Sequence, residues 1–330
     1  MPYTSTNPAS PTPPPPKTPT IERWSSPGTW PGGKIPASGD TVVIPSGRSV
    51  LLDADISVVL LDIEGTLTVA DQPGGIKIDA RYVVVRSGGS MIANINTNSL
   101  IITLSGGPEL PVFGQKVLAV SDGTLLLTGR PVGPSWVQLT RDAPAEASTL
   151  YVSGDTSLWP IGGEVAIAPT TIGSGGTEVF TIVAVSGTTI TLNGTLRTPR
   201  SGTIDARGVD RRAEVALLTR SIVIRGDGSD DRIGAHVMLS SMSAAPITAH
   251  LSNILLTNVG QGGQLGRCDN YIHRSLRCID EYEFAIVVIP TAGILSTLIC
   301  WGMSRASSAS KTAWFGGAST GRTPYTASAD

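Results

Sequence analysis

The amino-acid sequence predicts an all-β protein in which many short strands stack on one another. Short apolar runs rich in Val, Ile, Leu and Thr recur along the chain, and turns containing Gly or Pro separate them. No amphipathic helix longer than a few turns is indicated before residue 270. Each run is too short to bury its own apolar face, so neighbouring strands must cover one another. A sandwich, a barrel and a coil of parallel strands all suit this turn spacing.

Composition and charge limit the possible partners and the kind of core. The chain has 330 residues, which is long enough for two domains or one elongated domain. Only 5% of the residues are aromatic, so the core must rest mainly on branched aliphatic side chains. The formal net charge is -2 at pH 7 and no Lys/Arg cluster occurs, which argues against nucleic acid as the main partner.

Residues 1–23 are predicted to form a disordered, proline-rich leader. Four consecutive prolines, Pro13 to Pro16, favour an extended and solvated segment. A ligand for a proline-recognition domain is the alternative interpretation. The segment has no apolar stretch, so no signal peptide is predicted there.

Residues 39–93 repeat a pattern of strand, turn and strand. The turns are predicted at 45–47, at Gly65 and at 88–89, where Gly, Pro or Ser interrupts the apolar runs. Glycine at such a corner permits a positive φ at little steric cost. The regular spacing of these corners favours stacked strands over isolated hairpins.

A second β-rich block follows from about Phe113. Residues 116–129 repeat the strand, turn and strand pattern, and a hairpin is predicted to turn at 186–187. The polar, arginine-rich stretch 197–214 is predicted to be a long loop, after which strands resume. Asn193 begins an Asn-Gly-Thr sequon and is a glycosylation candidate if the chain is secreted.

The first block contains a spaced set of tryptophan, glycine, aspartate and proline residues: Trp30, Gly39, Asp40, Pro45, Gly47, Asp53 and Gly65. This set resembles the G8 (G-eight) domain, which occurs in fibrocystin-like proteins and in the cell-migration-inducing hyaluronidase family. The resemblance covers residues 24–107. One departure is MIANINTNS at 91–99, where the family usually has a glycine and a proline. Apart from the resemblance, Asp40 and Asp53 are expected to cap turns through side-chain hydrogen bonds.

Further motifs follow in chain order, at 113–117, 135–141, 159–165, 213–220, 222–227, 236–238 and 263–267. Together they resemble the same hyaluronidase family beyond its G8 domain. The resemblance implies a second β-domain at 108–212 and the first coils of a right-handed parallel β-helix at 213–267. It also implies a hyaluronan-related function outside the cell or at the cell surface.

The resemblance stops after Arg267. All three cysteines of the chain lie beyond it, and the last part of the chain is rich in Ser, Ala, Gly and Thr. We interpret 268–330 as non-native sequence produced by a frame shift or an unspliced intron, which would leave a truncated chain. The alternative is a transmembrane segment at 285–303, an uncharged stretch of nearly membrane-spanning length. A membrane is expected as a partner only if that segment spans it.

Four residues are candidates for ligand binding. Trp136 and Arg141 are the best local pair for an acidic sugar, because an indole suits a sugar face and a guanidinium suits a carboxylate. The alternative is that Trp136 fills the interface between the two β-blocks. His236 and Arg267 match motifs of the resembled family, although His236 also suits a buried structural role. The arginines of 197–220 are interpreted as either an anion-contact loop or a solvated one.

No metal, cofactor or catalytic site is predicted. His236, His250 and His273 lack the spacing of a zinc site. Asp230 and Asp231 raise calcium as an alternative, but they lack the spacing of a dedicated loop and a solvated turn is favoured. Sugar hydrolysis usually needs two carboxyl groups that flank the scissile bond. No local motif singles out such a pair, so the catalytic residues are unknown.

The first functional hypothesis is therefore a non-catalytic binding or scaffold fragment of a hyaluronan-processing protein, with a glycosaminoglycan or another polysaccharide as its partner. One alternative is a hyaluronidase-type endoglycosidase. Another is a structural module of the cell surface. Depolymerisation of size-defined hyaluronan by the purified chain would favour the enzyme, and binding without cleavage would favour the first hypothesis.

Overall fold

The protein is an all-β molecule, as the sequence predicts. A computed structural model describes residues 21–170, 176–230, 232–240 and 247–261, together with the backbone of 270–273. Predictions for the leader up to residue 20, for Arg267, for the three cysteines and for the segment 285–303 lie outside these residues. No helix in the described ranges is long and apolar enough to cross a membrane.

The described residues form 21 strands, which belong to two bodies. Parallel networks of six and nine strands make a β-helix, and an antiparallel network of six strands makes a barrel. The strands are β1 (Glu22–Arg23), β2 (Thr41–Ile44), β3 (Ser49–Leu52), β4 (Ile56–Ile63), β5 (Thr66–Val69), β6 (Ile76–Val85), β7 (Ser90–Ile95), β8 (Leu100–Leu104), β9 (Val117–Ser121), β10 (Thr124–Gly129), β11 (Trp136–Gln138), β12 (Thr149–Tyr151), β13 (Glu164–Ile167), β14 (Glu178–Ser186), β15 (Thr189–Leu192), β16 (Glu214–Leu217), β17 (Ile222–Gly226), β18 (His236–Ser240), β19 (Thr248–Ser252), β20 (Ile254–Thr257) and β21 (Asn270–His273).

The coils of the β-helix contribute strands to three faces. The long strand β6 turns a corner, because its residues 76–80 pair with β8 and its residues 82–85 pair with β9. β4 turns the same corner, and its register with β6 skips Val59 and Arg81 there. The first face runs through β4, β6, β8, β17 and β20, and the second through β2, β4, β6, β9, β18 and β21. The third face is β1, β3, β5, β7, β10 and β19.

The β-helix starts much earlier in the chain than predicted. Its first coils were expected at 213–267, but β2, which begins at Thr41, already pairs in parallel with β4. The G8-like block and the predicted β-helix are thus one continuous stack of coils. Strand periodicity could not reveal this, because the same alternation of apolar residues suits sandwiches, barrels and coils. Only the pairing of each strand with its equivalent one coil away distinguishes them.

Alternating side chains fill the interior of the β-helix in columns. In the third face, Val50 pairs with Leu67, which pairs with Met91. Met91 in turn pairs with Leu125, and all four side chains are buried. Complete burial of an aliphatic side chain contributes about 1.5–3 kcal/mol relative to exposure, so each added coil strengthens the column. This repeated burial explains how a chain poor in aromatic residues builds a large core.

Two tryptophans close the first end of this core. Trp24 and Trp30 are buried, with ring centroids 4.6 Å apart and planes at 65°. The Trp30 indole N–H donates to the Trp24 carbonyl oxygen at 2.8 Å. Short 3-10 helices at Pro27–Thr29 and Pro31–Gly33 flank Trp30 and bring it over the first coil. The predicted motif residue Trp30 therefore belongs to the end cap of the β-helix.

Glycines at the corners serve two different purposes. Gly47 has a φ of +82° in the turn between β2 and β3, as the corner prediction requires. Gly89 is needed for close approach instead, because a Cβ there would lie 2.1 Å from the Ile63 carbonyl oxygen of the preceding coil. Gly65 is in the same situation, because a Cβ there would lie 2.4 Å from the Pro45 carbonyl oxygen. Stacked coils leave no room for a side chain at these two corners.

An aspartate holds the turn at which the sequence departs from the G8 pattern. The Asp71 carboxylate accepts hydrogen bonds from the backbone N–H groups of Asn96, Thr97 and Asn98 at 2.8–2.9 Å. The Asn98 side-chain amide donates a further bond at 2.9 Å. The Asp71 carboxylate of the neighbouring coil thus holds the backbone of this turn, where a glycine and a proline were expected.

The second body is a closed antiparallel barrel. Its strand order is β11, β16, β13, β14, β15 and β12. A bridge between Leu139 and Val152 joins the two edges, and the Thr140 N–H donates to the Tyr151 carbonyl oxygen at 2.8 Å beside it. Closure leaves no long unpaired edge. The interior contains Trp159 together with aliphatic side chains such as those of β13 and β15.

The barrel is inserted between two coils of the β-helix. The chain leaves β10 at Gly129 and returns at β17, and the Ser221 hydroxyl accepts a hydrogen bond from the Arg130 N–H at 2.7 Å. The same hydroxyl donates to the Ile95 carbonyl oxygen at 3.0 Å. The two ends of the insertion therefore meet at one buried serine of the β-helix corner.

This connectivity moves both boundaries of the predicted second β-domain at 108–212. β9 and β10 fall inside that range, yet they pair in parallel with strands of the β-helix. β16 falls in the range predicted for the first coils, yet it pairs antiparallel with β11 and β13. The sequence shows where strands occur. No local signal indicates that strands after the barrel pair with strands of the β-helix that precede it.

Candidate functional site

An apolar row crosses four neighbouring strands on the outer surface of the barrel. Trp136 of β11 lies opposite Ala216 of β16. Ala216 also lies opposite Ala166 of β13, and Ala166 lies opposite Val179 of β14. Because Val137 and the other flanking residues point into the core, these four side chains point outward. The set Trp136, Ala216, Ala166 and Val179 is called the tryptophan row below.

The tryptophan row has a large aromatic side chain at one end and two small side chains in its middle. The two alanines are half-buried and leave little bulk between Trp136 and Val179. Val179 is 46% exposed and Trp136 is half-buried, so the row is open along its length. Three strand spacings give a width of about 14 Å. An apolar ligand face of that size fits between the two ends.

A stacked cation lies three residues beyond the end of β11, against β12. The Arg141 guanidinium is centred 4.0 Å from the ring centroid of Tyr151, a cation–π distance. No carboxylate of the described residues lies within ion-pair distance of Arg141. Four residues of extended strand separate Trp136 from Thr140, which is about 13 Å. Tyr151 is an outward residue of β12 beside Thr140, so the Arg141–Tyr151 stack and Trp136 lie on the outside of the barrel at opposite ends of a short strip.

Polar and acidic groups border this strip. The Gln138 side-chain amide donates to Asp210 at 3.3 Å, and Asp210 is paired with Arg212 at 2.7 Å. The Arg212 hydrogen bonds hold the pKa of Asp210 well below its usual range. Burial, with a smaller effect of the Asp210 charge, raises the pKa of Glu214, which lies opposite Gln138.

The arginine-rich stretch is largely neutralised by its own carboxylates. Arg211 pairs with Asp205 at 2.8 Å. Glu178 accepts ion pairs from Arg197 at 3.3 Å and from buried Arg200 at 2.7 Å. These ion pairs stabilise the barrel loops, while Arg207 is exposed and is not part of them. The two predicted interpretations, an anion-contact loop and a solvated loop, stay predictions.

His236 lies in the β-helix, away from the tryptophan row. It is 2% exposed on β18, and its Nδ1 is 3.1 Å from the Gln261 side-chain nitrogen. The same nitrogen donates to the carbonyl oxygens of Gln115 and Gly234 at 2.8 and 3.1 Å. Gln261 thereby ties three segments of neighbouring coils around the imidazole. This packing matches the structural role that the sequence left as the alternative for His236.

Of the two predicted turn aspartates, Asp40 accepts a local hydrogen bond, whereas Asp53 accepts bonds from residues far away in sequence. Asp53 accepts the Ser25 N–H and hydroxyl at 2.9 Å and the Arg23 guanidinium at 3.1 Å. Burial alone would raise the pKa of Asp53, but these hydrogen bonds outweigh it and lower the pKa. Asp40 accepts the Ala37 N–H at 2.9 Å.

The glycosylation candidate is accessible. Asn193 is exposed just after β15, and its side-chain oxygen accepts the Thr181 N–H at 2.9 Å. Thr195, the third residue of the sequon, donates its hydroxyl to Glu146 at 3.2 Å. A glycan on Asn193 would leave the barrel on its solvent side.

The calcium alternative finds no cluster in the described ranges. No group of three or more His, Cys, Asp or Glu residues there is arranged to hold a metal ion. Asp230 accepts the Arg232 N–H at 2.8 Å, which is a turn contact, and Asp231 lies outside the described residues.

Sequence reasoning identified Trp136 and Arg141 but missed the other three residues of the tryptophan row. Ala166, Val179 and Ala216 are ordinary strand residues whose outward direction is readable from alternation alone. Their alignment with Trp136 depends on the antiparallel register of four strands separated widely in sequence. No local signal specifies that register, so the row is visible only in the folded barrel.

Comparison with known proteins identifies a domain in the first part of the chain. The G8 domain model matches residues 29–140, which extend from the tryptophan cap through the first four coils to the start of the barrel. Human fibrocystin-L is 35% identical over 222 residues, covering 62% of this chain and 5% of fibrocystin-L. A G8 domain-containing protein of Dictyostelium discoideum is 26% identical over 280 residues, covering 77% of this chain and 19% of its own length.

A solved structure also aligns with much of the chain. It is the Gp54 tailspike of Acinetobacter baumannii bacteriophage AP22 in complex with A. baumannii capsular saccharide. The alignment has 11% identity and a TM-score of 0.23, and covers 70% of this chain and 34% of the tailspike. A score that low carries no argument about ligand or mechanism.

The sequence relatives share a G8 domain and are far longer than the matched region. The chain spans only a small part of fibrocystin-L, so the activity of a whole relative does not transfer to it. The predicted relation to the cell-migration-inducing hyaluronidase family stays a prediction. The motif from Trp30 to Gly65, the coil geometry and the matched residues agree: this chain contains a G8 domain at residues 29–140 and has relatives among the fibrocystins and other G8 domain proteins.

Proposed function

We propose that the chain is an extracellular polysaccharide-binding scaffold module whose barrel binds a hyaluronan-type glycosaminoglycan. The observation that carries the proposal is the tryptophan row, with the Arg141–Tyr151 stack on the same outer surface. The predicted resemblance to a hyaluronan-related family suggests which acidic polymer to test first. The exposed Asn193 sequon is in keeping with a location outside the cell.

The chemistry of the strip suits an acidic sugar chain. The apolar face of a sugar ring packs against an indole, and the alanines beside Trp136 leave space for that ring. A guanidinium donates paired hydrogen bonds to a carboxylate, and stacking on Tyr151 orients it for this role. The strand from Trp136 to Thr140, beside which the Arg141–Tyr151 stack lies, is about 13 Å long, which allows one short stretch of polymer to contact both ends.

The rest of the molecule supplies rigidity. The β-helix stacks its coils on a continuous aliphatic core, and the barrel joins it at the buried Ser221. A binding surface built on strands is held more firmly than one built on loops. A module of this kind would present the barrel at a defined position in a longer protein.

The test is titration of the full chain with size-defined hyaluronan. Trp136→Ala should weaken binding about fivefold, which is the effect of losing about 1 kcal/mol of aromatic contact. Arg141→Gln should weaken it about tenfold or more and reduce the dependence on salt, because a charge-assisted hydrogen bond is lost. Calorimetry at two salt concentrations measures both effects.

Matched controls are available on other exposed positions. Leu158→Ala removes a 62% exposed apolar side chain of the barrel, and Arg232→Gln removes an exposed arginine of the β-helix. Both should bind hyaluronan as the unaltered chain does. If the unaltered chain shows no saturable binding, the proposal is wrong. Shortening of the polymer during the titration, followed by size-exclusion chromatography, would instead support the endoglycosidase alternative.

A further inference from the structure

A ladder of hydroxyl groups runs along the third face of the β-helix. The same register position carries a serine or threonine on five neighbouring strands, β3, β5, β7, β10 and β19. These positions alternate with buried core residues, so the hydroxyls point away from the core. The hydroxyl ladder consists of Ser49, Thr66, Ser90, Thr124 and Thr248.

The hydroxyls of the ladder have unused hydrogen-bonding capacity. Within the described part of the chain, none of the five side-chain hydroxyls forms a hydrogen bond with another residue. Thr248 is exposed and the other four are half-buried, so solvent reaches the row. A hydroxyl is both a donor and an acceptor. The ladder therefore offers a regular series of donors and acceptors that the fold itself does not use.

The five strands of the ladder carry no charged side chain on their outward side. Arg23 of β1, which is in register with Leu51 at the end of the face, pairs with Asp53 at 3.1 Å. Two residues farther along each of the five strands lies a second column, formed by Leu51, Thr68, Ile92, Leu126 and His250. A third column follows on the longer strands, formed by Asn94, Thr128 and Ser252. No Lys, Arg, Asp or Glu occupies an outward position on these five strands.

Strand propensity alone does not account for this pattern. Thr favours strands anywhere in a sheet. The first face of the same β-helix is built from equally regular strands, yet its outward positions include Lys77, Asp79 and Arg225. On the third face, by contrast, one register position carries hydroxyls on five neighbouring strands, and these five strands have no outward charge.

We propose that the hydroxyl ladder binds an extended, neutral, linear polysaccharide that lies along the axis of the β-helix, across the strands. Neighbouring strands are about 4.8 Å apart, so the ladder repeats at that interval over about 19 Å. An extended chain of sugar rings repeats at close to the strand spacing, which lets successive rings meet equivalent hydroxyls. The column of Leu51, Ile92 and Leu126 supplies apolar contact to the ring faces.

The absence of charge selects the kind of polymer. A polyanion lying on the five ladder strands would lose hydration without meeting a cation there, whereas a neutral polymer exchanges hydrogen bonds with water for hydrogen bonds with the ladder. This site shares the polysaccharide class with the proposed function but rests on different residues in a different body. Its ligand differs from hyaluronan in charge.

The experiment titrates the full chain with hydroxyethyl cellulose, a soluble neutral linear polymer. Carboxymethyl cellulose, which has the same backbone with negative charge, should bind at least about tenfold more weakly. The triple variant Thr66→Val, Ser90→Ala, Thr124→Val removes three central hydroxyls with little change of shape. It should bind hydroxyethyl cellulose at least about tenfold more weakly, because each neutral hydrogen bond contributes modestly and three are lost together.

A matched control removes two threonine hydroxyls and one serine hydroxyl elsewhere. Thr41→Val, Ser87→Ala, Thr188→Val alters exposed positions off the third face and should bind as the unaltered chain does. Equal thermal midpoints for the two triple variants show that both remain folded. The proposal is overturned if hydroxyethyl cellulose shows no saturable binding, or if the ladder variant binds within twofold of the unaltered chain.

The same titrations separate this proposal from the proposed function. Trp136→Ala should weaken hyaluronan binding and leave hydroxyethyl cellulose binding unchanged. Failure with hyaluronan but success with hydroxyethyl cellulose would contradict the barrel site and support the ladder. The reverse result would contradict the ladder alone.

Discussion

At the scale of single residues, the buried ammonium of Lys116 is held by an ion pair and two further hydrogen bonds. Lys116 is almost fully buried, and its ammonium donates to Asp227 at 2.7 Å, to the Ser229 hydroxyl at 3.2 Å and to the Ile233 carbonyl oxygen at 2.8 Å. All three of its protons are therefore used. The pair joins the segment before β9 to the segment after β17, which are widely separated in sequence and adjacent in the coil stack. It contributes to the alignment of two coils across the insertion.

Removing the carboxylate should leave a buried, uncompensated ammonium. Asp227→Asn is expected to lower the free energy of unfolding by about 3–5 kcal/mol at neutral pH, since breaking a buried pair costs more than the pair contributes. Denaturant unfolding measures the change. Asp79→Asn, at an exposed outward position, is the matched control and should change stability by less than about 0.5 kcal/mol.

The same pair predicts a direction of pH dependence. Burial would raise the pKa of Asp227, but the hydrogen bonds from Lys116 and Ser229 outweigh it and lower the pKa to about 2 from its usual 3.8. A carboxyl whose folded pKa is depressed contributes stability above its unfolded pKa and loses it as the pH falls through the folded pKa. Its contribution should thus disappear between about pH 4 and pH 2. An Asp227→Asn variant whose stability falls as steeply as that of the unaltered chain over this interval would contradict the assignment.

At the scale of elements, the corners of the coils are the most constrained positions. The third face follows the second through turns that bring the backbone of one coil against the carbonyl groups of the previous one. At Gly89 the Ile63 carbonyl oxygen also accepts the Arg86 N–H at 2.8 Å, so it cannot move aside without losing a hydrogen bond. The corner leaves no room for a side chain, because the atoms that a Cβ of residue 89 would meet belong to the backbone.

Gly89→Ala should therefore destabilise the β-helix. A Cβ 2.1 Å from the Ile63 oxygen forces a backbone shift, and overpacking of this kind costs about 1–3 kcal/mol. Gly28→Ala is the control, because the nearest atom to its added Cβ is 3.9 Å away and its φ is not positive. Thermal unfolding of the two variants should differ clearly. Equal midpoints would show that the corner relaxes freely.

At the scale of the whole molecule, the barrel is inserted in the sequence of the β-helix, between β10 and β17. The β-helix supplies its own end cap and core on both sides of the insertion, and the barrel has a separate core. The insertion begins and ends at residues in hydrogen-bond contact, Arg130 and Ser221. Domains inserted in this way at adjacent chain ends are commonly separable from their host.

Replacing residues 131–219 with a short glycine linker should leave the β-helix folded. Closing a short loop costs little entropy compared with the loss of a core. The expected result is a cooperative unfolding transition and a β-type circular dichroism spectrum. Ser221→Ala in the unaltered chain should cost about 1–3 kcal/mol, because two buried hydrogen bonds are lost at the junction. A shortened chain that lacks a cooperative transition would mean that the barrel is needed for the coils to stack.

Much of the fold could be predicted from residue patterns, because those patterns act locally. Gly47 has the positive φ that its turn requires, and the hairpin at 186–187 joins β14 and β15 as predicted. The G8 spacing was recognisable because Trp30, Gly65 and Pro45 have steric roles at fixed places in the first coils. The candidate site was predictable in part: Trp136 and Arg141 were identified as a pair, but their partners on other strands were not.

The sequence by itself determined that the chain is all-β, where its strands and corners lie, and that it carries a G8 pattern. Only the tertiary structure decided that the coils start at Thr41, that a barrel interrupts them, and that Trp136 and the hydroxyl ladder belong to continuous surfaces. The physical reason is the range of the interactions. Alternation, turns and glycine corners depend on neighbours in sequence, whereas register across coils depends on contacts between residues far apart in the chain.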